Sequence, residues 1–91
     1  MSLNMTAKVR STQPFRGIQI ESVEVQCVGE RQWEATIRIA GELKPVNCGN
    51  HHANKTDAIQ AALNYARVQN ERIQGGFEQW VSLTQAELSS N

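Results

Sequence analysis

The sequence predicts an α+β domain. A three-stranded antiparallel meander (β-β-β) is followed by one amphipathic helix packed on the sheet and a short aromatic C-terminal segment, helical or extended. Three observations carry this. Residues 54–74 place apolar side chains at helical spacing. Residues 18–40 alternate apolar and polar side chains at the two-residue period of strands. Gly29, Gly41, Pro45 and the Gly75-Gly76 pair stand where the period breaks, as turn residues should.

Residues 1–14 hold few apolar groups and no period, which predicts a flexible N-terminal arm ahead of a single α+β domain over 15–91. Ile18 to Val28 reads as the first strand. Ile18 and Ile20 share one parity and Val23, Val25 and Cys27 the other, so a bulge is expected near Glu21-Ser22. Gly29 to Gln32 is a turn. Trp33, Ala35, Ile37 and Ile39 alternate with Glu34, Thr36, Arg38 and Ala40, the clearest strand in the chain. Ala40-Gly41-Glu42-Leu43 suits a two-residue type II′ hairpin. The third strand, Leu43 to Cys48, contains Pro45, which cannot donate to a ladder and marks an edge or irregular strand.

The helix stripe is Ile59, Ala62, Leu63, Ala66 and Ile73, with a gap at Asn70. Thr56 is the expected N-cap, with Asn54 competing. Gly75-Gly76 supplies the left-handed residue a helix end needs. Beyond it, Phe77, Trp80, Val81, Thr84 and Leu88 fit helical spacing; Gln79 to Leu83 as a fourth strand is the alternative, with Thr84-Gln85-Ala86-Glu87 as a capping box. Phe77 and Trp80 are expected to pack on the domain, and the glycines make the segment separable enough to exchange between protomers.

Composition narrows the function. With 91 residues there is room for one modest core, which oligomerisation would support. Nine cations balance nine acids, so no global charge draws the chain to nucleic acid or an anionic membrane. No apolar run is long enough to span a bilayer, no signal peptide is visible, and two cysteines make no disulfide scaffold, so the expectation is cytoplasmic with reduced thiols.

Cys48-Gly49-Asn50-His51-His52, with Cys27, is the only cluster of metal-type ligands, and it lacks the paired spacing of zinc sites. A meander would hold Cys27 and Cys48 about 9–10 Å apart across the intervening strand, too far for a shared ion or a disulfide. Cys48 with His51 or His52 has the residue types of a thiolate and its base, but no third residue to orient the histidine. Asp57, Arg67 and Glu71 share the wet helix face, with Arg67 and Glu71 spaced as an i, i+4 pair. Gly75-Gly76 follows a helix and is no phosphate loop. The sequence therefore assigns no catalytic, cofactor-binding or metal-binding residue and expects no cofactor; the binding residues stay undefined.

Three strands before a helix that begins Ala53-Asn54-Lys55-Thr56-Asp57-Ala58 resemble double-stranded RNA-binding domains in order of elements, over about a third of the chain. That resemblance implies phosphate contacts at the start of the helix. Here Lys55 is the one cation there, Asp57 offsets it, and no helix precedes the strands.

Two functions follow from these features. The first is a small non-enzymatic protein-binding or self-assembling module, expected as a homodimer, with Trp33 and Trp80 as candidate anchors. The alternative is a nucleic-acid-binding domain using Lys8, Arg10, Arg16, Lys44 and Lys55 as scattered phosphate contacts. Nucleic acid is the less favoured partner, and membrane is not expected.

Overall fold

A computed structural model describes residues 6–72 and 75–90. Four strands, β1 (Thr6–Arg10), β2 (Ile20–Gly29), β3 (Gln32–Ile39) and β4 (Val46–Asn47), form one antiparallel sheet in the order β1-β2-β3-β4. Two helices follow, α1 (Lys55–Gln69) and α2 (Phe77–Ser90). α1 packs on β2 and β3, α2 packs on β1 and β2, and the helices touch each other. The α+β meander and its helix are thus present, lengthened by a strand before them and a complete helix after them.

Alternation decides which face is covered. Val23, Val25, Ala35 and Ile37 are completely buried under the helices. Their neighbours Glu24, Gln26, Glu34, Thr36 and Arg38 take the opposite parity and form the polar face of the sheet. Ala58, Ile59, Ala62, Leu63 and Ala66 supply the buried stripe of α1; Phe77, Trp80, Val81 and Leu88 supply that of α2. Three alanines in the first stripe let α1 approach the sheet closely. Each fully buried Val, Ile or Leu contributes about 1.5–3 kcal/mol.

The expected flexible arm is corrected over the described part of it. Thr6–Arg10 is a strand, paired from Thr6 with Gln26 to Arg10 with Ser22. Ala7 and Val9 point into the core, opposite Val25 and Val23, and Thr6, Lys8 and Arg10 point out. Two apolar residues give too short a period to read from sequence, yet they cover a flank of β2 that would otherwise be wet. The segment after β1 is also tied down. Gln13 Nε2 donates to the Ile18 carbonyl at 2.9 Å, and Gln13 Oε1 accepts from the Ile20 amide. Phe15 is buried, with its ring edge-on to Phe77 and Trp80 at 5.1 and 5.5 Å. Residues 1–5 lie outside the described residues.

The bulge falls where the parity slips, between Ile20 and Ser22. The β3–β4 connection departs from a two-residue type II′ hairpin. Glu42 N donates to the Ile39 carbonyl, so Gly41, at φ 88°, is the third residue of its turn instead of the second. The chain then runs without ladder pairing to Val46, which shortens the expected third strand to two residues at the sheet edge. Pro45 stands immediately before it. Beyond Asn47 the segment follows β3 irregularly, through bonds from Cys48 N to Ala35 O and from Trp33 N to His52 O, both 2.8 Å.

Asn54, not Thr56, caps α1: its Oδ1 accepts from the Asp57 amide at 2.8 Å. The helix stops at Gln69, and Asn70 follows as its C-cap. Ile73 and Gln74, expected in this helix, lie outside the described residues. Gly75 and Gly76 have φ of 71° and 69°, which only glycine takes without cost. α2 is one continuous helix, so neither the strand alternative over Gln79–Leu83 nor a helix start at Thr84 applies. Thr84 is buried in mid-helix because its turn faces the sheet. Arg67, spaced for Glu71, instead pairs with Glu78 of α2 and stands over the Phe77 ring.

Candidate functional site

The Cys48–His52 segment closes on itself. Asn47 Oδ1 accepts from the Gly49 amide at 2.7 Å. His52 Nε2–H donates to the Cys48 carbonyl at 2.9 Å, which fixes the tautomer because a carbonyl can only accept. Gly49, at φ 107°, lies under that ring; a Cβ there would stand 2.5 Å from Nε2. His51 is exposed and accepts at Nδ1 from Gln32 Nε2 at 3.3 Å. The two histidines thus diverge. Burial pushes the Cys48 thiol up to about 11, so it is uncharged at neutral pH. This arrangement joins the edge strand to α1 and commits His52 Nε2 to a backbone carbonyl.

Cys27 and Cys48 are further separated than a plain meander requires. Cys27 is opposite Trp33, and Trp33 bridges to His52; Cys48 instead bonds to Ala35, two residues along β3. Both thiols are free. Among the described residues, no three His, Cys, Asp or Glu side chains are grouped to hold a metal ion.

The five cations expected to touch phosphate do not converge. Lys8 and Arg10 lie on β1, Arg16 on the β1–β2 connection, Lys44 on the β3–β4 loop, and Lys55 at the start of α1. Arg38, two strands from Arg10 through Ser22, was not among them. The sheet end where β2 begins and α1 finishes carries six cations, Arg10, Arg16, Arg38, Lys44, Arg67 and Arg72. Four acids, Glu21, Glu42, Glu71 and Glu78, are interspersed with them, so the excess of positive charge is small.

The expected interface anchors are also placed. Trp80 is 3% exposed, enclosed by its own chain, and Trp33 is half-buried against the core. Among the described residues, the large apolar side chains that reach the surface are Val28, Leu43, Val68 and Leu83.

One flank combines exposed apolar surface with unpaired backbone. β1 is the outer strand of the sheet. Ser11 N donates to Glu21 O, and from there antiparallel alternation turns the backbone groups of Val9 and Ala7 toward β2. The N–H and C=O groups of Thr6, Lys8 and Arg10 therefore point away from the sheet. The hydrogen bonds of β3 to the Cys48–His52 segment obey the same alternation. No described residue bonds the outward groups of Lys8 or Arg10. Beside this edge, between β1 and α2, lies a groove of about 120 Å³, lined by Val9, Arg10, Thr12, Trp80, Leu83, Thr84 and Glu87. Leu83, 60% exposed, forms its outer lip. The sequence carried only a trace of this edge, the Ala7–Val9 alternation.

No protein-family model matches the chain, and no curated protein or solved structure matches it. No helix among the described residues is long and apolar enough to cross a membrane.

Proposed function

We propose that this chain is a small non-enzymatic protein-binding module, and that its docking element is the open edge of β1. The observation that supports this is the row of outward backbone groups at Thr6, Lys8 and Arg10 beside a groove of about 120 Å³ whose apolar wall is Val9, Trp80 and Leu83. An extended segment adding to such an edge gains main-chain hydrogen bonds along its length and side-chain specificity at alternate positions. The opposite edge is a poorer template, because β4 has two residues and Pro45 beside it.

Enzymatic readings around Cys48 find less support, since the thiol is held neutral and His52 is committed to the Cys48 carbonyl. Self-association also has less in its favour than a different partner. A two-fold pairing of β1 about Val9 would set Lys8 against Arg10 of a second copy, and like charges directly opposite are unfavourable.

Peptide display against the full chain tests the proposal. Selected ligands should lose at least about tenfold affinity for Lys8→Pro, the equivalent of about 1.4 kcal/mol. That substitution removes an outward N–H without removing a bond to β2. Ligands that bind the variant unchanged would overturn the edge assignment.

A further inference from the structure

We infer that the segment added at β1 is acidic–apolar–acidic, with its two acidic side chains on the polar face of the sheet and the apolar one between them in the groove. The inference rests on the edge assignment above. In an added strand, three consecutive residues stand opposite Lys8, Val9 and Arg10, and side chains directly opposite share a face. Lys8 and Arg10 point to the polar face and Val9 to the helix face. The residues opposite the two cations therefore meet positive charge. The residue opposite Val9 meets that side chain and Leu83, over a volume of about 120 Å³.

Lys8 and Arg10 are the charges that an added segment meets on the polar face. The neighbours of Arg10 across the polar face are Ser22 and then Arg38, and Glu21 lines one pocket with Lys8, Arg10 and Ser22, with no ion pair of 4 Å or less between Glu21 and either cation among the described residues. Lys8 has Glu24 directly across from it, with no ion pair of 4 Å or less between them among the described residues. Each cation thus has an acid near it and no ion pair among the described residues, so both remain open to an acid on the added segment. A second copy of β1 paired about Val9 would bring lysine and arginine to these same positions, which favours a segment of different composition.

Three synthetic extended peptides distinguish the outcomes. They share apolar residues at alternate positions and differ at the others, which are all glutamate, all threonine or all lysine. Each is titrated into isotopically labelled full chain while the amides of Lys8 and Arg10 are followed. The glutamate peptide should bind at least about fivefold more tightly than the threonine peptide and more tightly still than the lysine one, the size two opposite-charge cross-strand pairs allow. Arg10→Glu should erase or reverse that order, and this exposed substitution leaves the pairing to β2 intact.

Equal binding of glutamate and threonine peptides, lost in Lys8→Pro, would overturn the charge inference and leave the edge assignment standing. Preference for lysine would overturn it as well. No binding at β1 by any of the three would overturn this inference, while the edge assignment would still be judged by display selection. Amides of Lys8 and Arg10 that shift with protein concentration alone would identify a second copy as the occupant and overturn the inference.

Discussion

Trp80 Nε1 donates to Ser11 Oγ at 2.7 Å, joining residues 69 positions apart. The bond ties α2 to the segment that follows β1, so the edge strand and the helix behind it are held as one unit. Trp80 has one donor and almost no exposure; without Ser11 that donor would be buried unsatisfied. Ser11→Ala should therefore cost about 1–3 kcal/mol in chemical denaturation. Trp80→Ala, which also empties the contacts with Phe15 and Phe77, should cost about 3–5 kcal/mol. Equal costs for the two would show that the hydrogen bond, and not the packing, dominates at Trp80.

Asn70 makes a second long-range tie. Its Nδ2 donates to the Ala66 carbonyl at 2.8 Å and its Oδ1 accepts from the Ile18 amide at 3.1 Å, in a site 2% exposed. Asn70→Leu restores the apolar stripe of α1 yet strips the Ile18 amide of its acceptor. It should destabilise by about 1–3 kcal/mol, with faster amide exchange at Ile18. A variant as stable as the parent would mean that packing compensates for the lost pair.

Gly49 is fixed by both conformation and space. Gly49→Ala puts a Cβ on the His52 ring and a side chain at φ 107°. The expected cost is about 1–3 kcal/mol, since a left-handed residue without glycine's freedom is strained whatever the ring does. The change should also release the His52 ring from Cys48 O, visible as altered histidine resonances.

Cys48 should alkylate slowly, because burial raises its thiol to about 11 from an ordinary 9.0 and the thiolate is the nucleophile. The sign for stability follows. The folded chain holds this proton more tightly than the unfolded chain, so the contribution is complete below about pH 9 and is lost as pH rises through about 11. Replacing Cys48 with Ala should flatten that part of the stability profile. A profile unchanged by the substitution would assign the alkaline loss to other groups.

Elements with a long period were legible in the sequence. The Trp33–Ile39 alternation, the Glu21 bulge and the apolar stripe from Ile59 to Ala66 all correspond to structure. What was missed depends on contacts far apart in the chain. β1 has only Ala7 and Val9 to announce it, and pairing with β2 supplies the rest. Asn70 looked like a gap in a stripe because a single asparagine does not disclose that Ile18 will need an acceptor. Trp80 could be placed on a helix face but not assigned to core or surface, since that depends on Phe15 and Ser11 reaching it. The β1 edge was hidden for the same reason: an edge exists only once the sheet does.

Amide exchange of Val9 against Lys8 and Arg10, in the isolated chain at low and high concentration, bears on the proposed docking edge without any ligand. Val9 should be protected by β2, while Lys8 and Arg10 exchange rapidly at both concentrations and slow only when an extended segment is added. Lys8 and Arg10 protected as strongly as Val9 in dilute isolated protein would mean that the edge is already covered, and the docking proposal would fall.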